Sequence, residues 1–133
     1  MDKIITVLMV DDLYANRFLV EGVLSDFRVL SASNGTEMWS ILEKEIPDII
    51  LMDVMMPYDD GFSLVKKLRH NSLFKDIPII FLTAKNSKED VLEGVRSGGS
   101  YYITKPFDHD ELIGRIMAVL EKSKENNLSK RNK

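Results

Sequence analysis

The chain has 133 residues and a mass of 15.2 kDa, one domain's worth of polypeptide that can bury a real core without a disulfide or metal staple. Hydrophobic residues make up 44% and charged residues 29%, which excludes a disordered or collagen-like chain. There are no cysteines, so a disulfide framework, a thiol nucleophile and a thiolate metal site are all excluded. Eighteen basic against twenty-one acidic residues give a net charge of −3 and a pI near 5.4, which does not describe a basic nucleic-acid surface.

In chain order, Ile4 to Val10 is β-branched and almost wholly apolar, the pattern of a strand buried on both faces. Asp11 and Asp12 end it. A helix is predicted over 14–25, with Ala15, Phe18, Leu19 and Val23 on its apolar face. Phe27 to Ser31 reads as a weaker strand near an edge, and Asn34-Gly35 as a turn. A second helix is predicted over 36–46, closed by Pro47. Ile49 to Met52 is a third strand, ended by Asp53. The loop from Met55 to Gly61 leads into a helix over 62–70. Ile77 to Leu82 is a fourth strand, with Pro78 at its start, where a missing N–H is tolerated, and Thr83 at its end. A helix over 87–97 stops at Gly98-Gly99. Tyr101 to Ile103 is a fifth strand, ended near Lys105-Pro106, and a last helix is predicted over 108–123.

Strand–helix alternation at this spacing means right-handed βαβ units around a parallel sheet covered on both faces. The longest apolar runs, 49–52 and 77–82, fall far short of the roughly 20 residues of a membrane span. The first residues lack the order of a signal peptide, so the cytoplasm is the expected compartment. The domain is expected over 1–122. Residues 123–133 are polar, and read either as a solvated tail or as a helical linker.

Ligands of open α/β sheets bind beyond the carboxyl ends of the strands. Here those ends carry Asp11, Asp12, Asp53, Thr83 and Lys105. If the first and third strands are neighbours, three carboxylates share one pocket and need a cation between them. Oxygen ligands without Cys or His select a hard ion, Mg²⁺ or Mn²⁺. Lys105 and the Thr83 hydroxyl suit phosphoryl oxygens. No Ser, Cys or His ends these strands, so a carboxylate is the expected acceptor, and Asp53 is the choice. Singly, each has an ordinary reading: Asp11 or Asp12 as a helix cap, Thr83 as a strand residue, Lys105 as a solvated charge. His70 and His109 are given no chemistry.

These segments, Val7 to Asp12, Ile49 to Pro57, Gly61-Phe62, Pro78 to Ala84 and Tyr102 to Phe107, resemble the receiver domain of bacterial two-component response regulators over residues 4–121. The resemblance implies a flavodoxin-like (βα)5 fold with strand order 2-1-3-4-5. It implies phosphoryl transfer from a histidine kinase or histidine phosphotransfer protein to Asp53. Asp12 and Asp53 would bind Mg²⁺ directly, Asp11 through a water, and Met55 by its backbone carbonyl. Thr83 and Tyr102 would form a switch pair. The Ala84 backbone and Lys105 would hold the phosphoryl group, and Lys105–Pro106 would be a cis peptide. The output face would be the fourth helix, fifth strand and fifth helix, toward an output partner or domain the sequence does not name. Such a protein is a phosphoacceptor with slow autodephosphorylation and not a turnover enzyme.

Two other classes use similar residues. A Mg²⁺-dependent phosphohydrolase needs a second Asp two residues after the nucleophile, where this chain has Met55. A pseudo-receiver that never takes phosphate is opposed by the complete set of five residues. Three departures from the family pattern stand out. Asp59 replaces a residue that is often apolar, either as an exposed loop acid or as added negative field near the metal. Ser100-Tyr101 replaces a commonly acidic pair. Met55 lies with Lys85 on the route of a hydrolytic water it cannot orient. A homodimer through the last helix is left open by Leu112, Ile116 and Val119.

Overall fold

The computed structural model describes residues 3–131. Five strands and five helices alternate in the order β1 (Thr6–Val10), α1 (Tyr14–Val23), β2 (Arg28–Ala32), α2 (Gly35–Leu42), β3 (Ile49–Met52), α3 (Gly61–Arg69), β4 (Ile79–Thr83), α4 (Lys88–Ser97), β5 (Tyr101–Thr104) and α5 (His109–Arg131). All pairings are parallel and the sheet order is β2-β1-β3-β4-β5.

Alternate residues of the buried strands feed two cores, as a period of two requires. Leu8, Val10, Ile50, Met52, Ile79 and Phe81 pack under α2 and α3. Val7, Met9, Ile49, Leu51, Ile80 and Leu82 pack under α1 and α5. β1, β3 and β4 are buried along their whole length, which is why they read as unbroken apolar runs. β2, at the edge, is only partly covered, in keeping with its weaker pattern.

Three expectations are corrected. The core face of α1 is Val20 and Val23, with Leu24 just beyond, while Ala15, Phe18 and Leu19 are exposed. The helix is turned by its first turn: the Arg17 Nη1 donates to the Asp11 carbonyl at 2.7 Å and the Asn16 amide to Asp11 Oδ1 at 3.4 Å. α2 stops at Leu42, well before Pro47, because the residues after it are taken by a tightened last turn in which Lys44 and Glu45 N–H groups share the Ile41 carbonyl. α5 does not end near 123 but continues to Arg131, so the helical reading of the polar segment holds through that residue; residues 132–133 lie outside the described ones. Leu112 and Ile116, two of the residues that left a dimer open, are fully buried against the sheet, and Val119 packs beside them. Among the described residues no helix is long and apolar enough to cross a membrane.

Candidate functional site

Register alone brings the acids together. Val10 is level with Met52 across β1 and β3, so Asp11 and Asp53 each lie one step past the same edge. The Asp11 N–H donates to Ala32 O at 3.0 Å and the Asp53 N–H to Val10 O at 2.9 Å, which continues the ladder just far enough to hold both backbones. Leu82 is level with Ile103 and Thr83 with Thr104 across β4 and β5, and the Lys105 N–H donates to Thr83 O at 2.8 Å. Four loops thus converge on one end of the sheet, and the Lys105–Pro106 peptide is cis.

Carboxylate oxygens of Asp11, Asp12 and Asp53 all lie within 4.8 Å of one another. Asp11 is fully buried and Asp53 nearly so, whereas Asp12 is half-buried at the cleft. The Lys105 ammonium faces two of them, at 2.7 Å from Asp11 Oδ2 and 3.5 Å from Asp53 Oδ2. Asp11 Oδ1 also accepts the Leu13 N–H at 2.9 Å. Burial pushes the Asp53 carboxyl above its ordinary range, and the charge of Asp11 adds to that rise; the Thr83 hydroxyl bond, the Lys105 charge and the Met55 N–H oppose it. Desolvation prevails, so a further cation beside Asp53 would favour its charged form.

An oxygen-only donor set with one ammonium opposite it fits a hard divalent ion. The three carboxylates are close enough to share such an ion, and Lys105 leaves net negative charge for it to offset.

The loop from Asp53 to Gly61 is folded back on itself. Met55 N–H donates to Asp53 Oδ1 at 3.3 Å, Met55 and Asp60 form an isolated antiparallel bridge, and Gly61 N–H donates to Val54 O at 3.0 Å. A Cβ on Gly61 would overlap the Asp53 carbonyl oxygen, so only glycine lets α3 start this close to the acid. The Asp60 side chain caps α3 through the Phe62 N–H at 3.0 Å. An open cleft of about 720 Å³ lies over the acids, lined by Asp12, Met55, Tyr58, Asp59 and Lys85 among others.

Thr83 is fully buried, its hydroxyl accepting the Lys85 N–H at 3.3 Å and lowering the titration of the Asp53 carboxyl. Ala84 follows it, exposed at the rim. The Tyr102 ring is turned in against Phe81, with centroids 5.7 Å apart, and its hydroxyl donates to the Lys85 carbonyl at 2.7 Å. Burial, helped by the charges of Asp90 and Asp53, pushes that phenol up to about 12. Ser100 is used structurally: its N–H donates to Ile79 O at 2.7 Å and its hydroxyl accepts the Ile79 N–H at 3.1 Å. The Arg115 guanidinium covers the Tyr101 ring at 4.4 Å.

Asp59 is not the exposed loop acid of the first expectation. It is half-buried, and its Oδ2 accepts the N–H of Gly35, the first residue of α2, at 2.9 Å. Sequence reasoning did not find this bond. The only signal was an acid where an apolar residue is common.

Residues 7–117 match the response regulator receiver domain family. The chain is 37% identical over 119 residues to Response regulator Rre1 of Synechocystis sp., covering 87% of this chain and 52% of that protein. It is 37% identical over 120 residues to the phosphate regulon transcriptional regulatory protein PhoB of Pseudomonas aeruginosa, covering 89% of this chain and 52% of that one. The chain therefore spans about half the length of these curated relatives. The solved chemotaxis protein CheY4 of Vibrio cholerae superposes with a TM-score of 0.82 at 34% identity, covering 88% of this chain and 99% of that chain.

Proposed function

The chain belongs to the response regulator receiver domain family of two-component signalling, and we propose that it works there as a phosphorylation-dependent switch with Asp53 as the phosphoacceptor. Receiver domains are signalling phosphoacceptors and not typical turnover enzymes. One observation carries the reading: three carboxylates within 4.8 Å of one another, with the Lys105 ammonium 2.7 Å and 3.5 Å from two of them, at the carboxyl edge of a parallel sheet.

In this reading an Asp53 carboxylate oxygen attacks phosphorus on a phosphohistidine of a histidine kinase or histidine phosphotransfer protein. The O–P bond forms as the N–P bond breaks, and the imidazole leaves with the bonding pair. Lys105, the Thr83 hydroxyl and the Ala84 N–H receive the phosphoryl oxygens, each a preset donor where charge gathers. Asp12 and Asp53 would hold Mg²⁺ or Mn²⁺ directly, Asp11 through a water, and Met55 by its carbonyl. The ion, when bound, supplies positive charge shared between the carboxylates and the phosphoryl oxygens.

The new charge, about −1 to −2, acts on the pair formed by Thr83 and Tyr102. Their neighbours, α4, β5 and α5, form the proposed output face, toward a partner or a further domain. The domain is assigned to residues 1–122, with 123–133 as a polar tail or linker, and the proposed setting is the cytoplasm. Slow self-dephosphorylation would reset it.

The test is labelling with acetyl phosphate and Mg²⁺. The parent should take one phosphoryl group per chain and Asp53→Asn none. Beryllofluoride with Mg²⁺ should shift the amides of Thr83 and Tyr102 in the parent. Persistent labelling of Asp53→Asn would move the acceptor elsewhere, and unmoved amides would remove the switch.

A further inference from the structure

The loop that follows Asp53 is held mostly by bonds within itself. The Met55 N–H on Asp53 Oδ1, the Met55–Asp60 bridge and the Gly61 N–H on Val54 O all join residues of the same loop. The bond from Gly35 N–H to Asp59 Oδ2 instead ties the loop to a different element, 24 residues away in sequence.

That bond is well placed to be strong. The first N–H groups of a helix have no carbonyl one turn back to accept them. The Asn34 side chain takes the Glu37 N–H at 2.8 Å, and Asp59 takes Gly35, so α2 is capped once locally and once from the loop. The negative carboxylate also faces the positive end of the α2 dipole. Asp59 is adjacent to Asp60, whose backbone pairs with Met55 across the narrow loop. It lines the same cleft as Asp12 and Met55.

We propose that Asp59 is a positioning residue for the metal-holding loop: by anchoring the loop to the start of α2 at Gly35, it fixes the Met55–Asp60 bridge and so the backbone carbonyl that Met55 offers to a divalent ion. This rests on the metal site of the proposed function. It assigns to the bond what a field effect would assign to the charge. It also has a reciprocal consequence, because binding couplings run equally in both directions. If the anchor strengthens ion binding, ion binding must tighten the anchor.

The experiment uses the whole 133-residue chain. Mg²⁺ is titrated by calorimetry into the parent, Asp59→Ala and Asp59→Asn, and Gly35 amide exchange is followed by NMR with and without Mg²⁺. Asp59→Ala should weaken Mg²⁺ binding by about 5- to 10-fold, within the usual span of such couplings. Asp59→Asn keeps an acceptor for Gly35 and should stay within about twofold of the parent. Mg²⁺ should slow Gly35 exchange in the parent, a readout that needs no variant to fold, and should not slow it in Asp59→Ala. Parent-like binding by Asp59→Ala would overturn the proposal alone, as would a Gly35 amide indifferent to Mg²⁺. Equal weakening by both variants would assign the effect to charge. A parent that does not bind Mg²⁺ would overturn the metal site itself and this proposal with it.

Discussion

Lys105 stands closer to Asp11 than to Asp53, 2.7 Å against 3.5 Å, and its ammonium is the nearest counter-charge to a fully buried carboxylate. The residue expected to await a phosphoryl group is therefore also the one that makes the acid cluster tolerable without it. Removing one partner of a buried ion pair leaves the other uncompensated, at a cost of about 3 kcal/mol. Lys105→Met keeps the stem and removes the charge. Urea unfolding at pH 7 in the presence of a chelator should show a loss of that order. Millimolar Mg²⁺ should recover more stability in the variant than it adds to the parent. A variant as stable as the parent without Mg²⁺ would mean that Asp11 is held by its Leu13 and Asn16 contacts alone.

A pH effect follows from Asp53. Its carboxyl titrates above the ordinary value, chiefly because burial disfavours the charged form. Between the unfolded value near 3.9 and the raised folded one, the folded chain binds more protons than the unfolded chain. Stability from this group is therefore lost as pH rises through that window and stays lower above it. Asp53→Asn has no such loss. Without divalent ions it should be more stable than the parent at pH 7. The gap should close toward pH 4. Denaturation curves of both proteins across that range check the slope, and a variant less stable at pH 7 would show that Lys105 more than repays the burial of Asp53.

The ends of the strands were the legible part of this sequence. A strand buried on both faces is an unbroken apolar run, so the polar residue that stops it is conspicuous. Asp11, Asp53 and Thr83 announced themselves in that way, Lys105 only by following the short edge strand β5, and parallel register then aligned them. The order of the strands was not contained in periodicity and came with the family resemblance. The rotation of α1 was not legible, because Phe18 and Leu19 look as core-like as Val20 until Arg17 and Asn16 are seen reaching Asp11. Nor was the persistence of α5, whose last turns lack an apolar stripe and mix helix-forming Glu, Lys and Arg with Ser and Asn. The Asp59–Gly35 bond is a tertiary contact between the loop after Asp53 and the start of α2, and no local pattern encodes it.

Gly94 limits where Tyr102 can go. A Cβ on Gly94 would sit 2.8 Å from Tyr102 Cδ2 and 3.1 Å from Cε2, closer than carbon atoms pack. Gly94→Ala should therefore push the ring out of its place against Phe81 and break the bond from its hydroxyl to the Lys85 carbonyl. The phenol, held up to about 12 chiefly by burial, should then titrate nearer 10. Ultraviolet titration of the parent, Gly94→Ala and Tyr102→Phe isolates this one of the four tyrosines. An unmoved titration in Gly94→Ala would mean that α4 yields instead of the ring.

Met55 bears on the lifetime of the phosphorylated state. The residue is 57% exposed and lines the cleft with Lys85, two residues past Asp53 and Thr83 respectively. Hydrolysis of an aspartyl phosphate needs a water held in line with the O–P bond, and a thioether is too weak an acceptor to hold one. Lys85 does not make up for this, because its ammonium leans toward Asp90, 3.8 Å away. The parent should therefore keep its phosphoryl group longer than Met55→Asn, whose amide can both donate to and accept from that water. The expected change is several-fold, at the low end of what one positioned polar group contributes to proton or water handling. Loss of labelled phosphate from purified, phosphorylated protein at pH 7 measures it directly. Because Met55 is exposed, the substitution should leave unfolding stability within about 0.5 kcal/mol of the parent. A Met55→Asn protein that loses phosphate no faster would shift control of the water to Lys85, and Lys85→Ala would then have to change the rate where Met55→Asn does not.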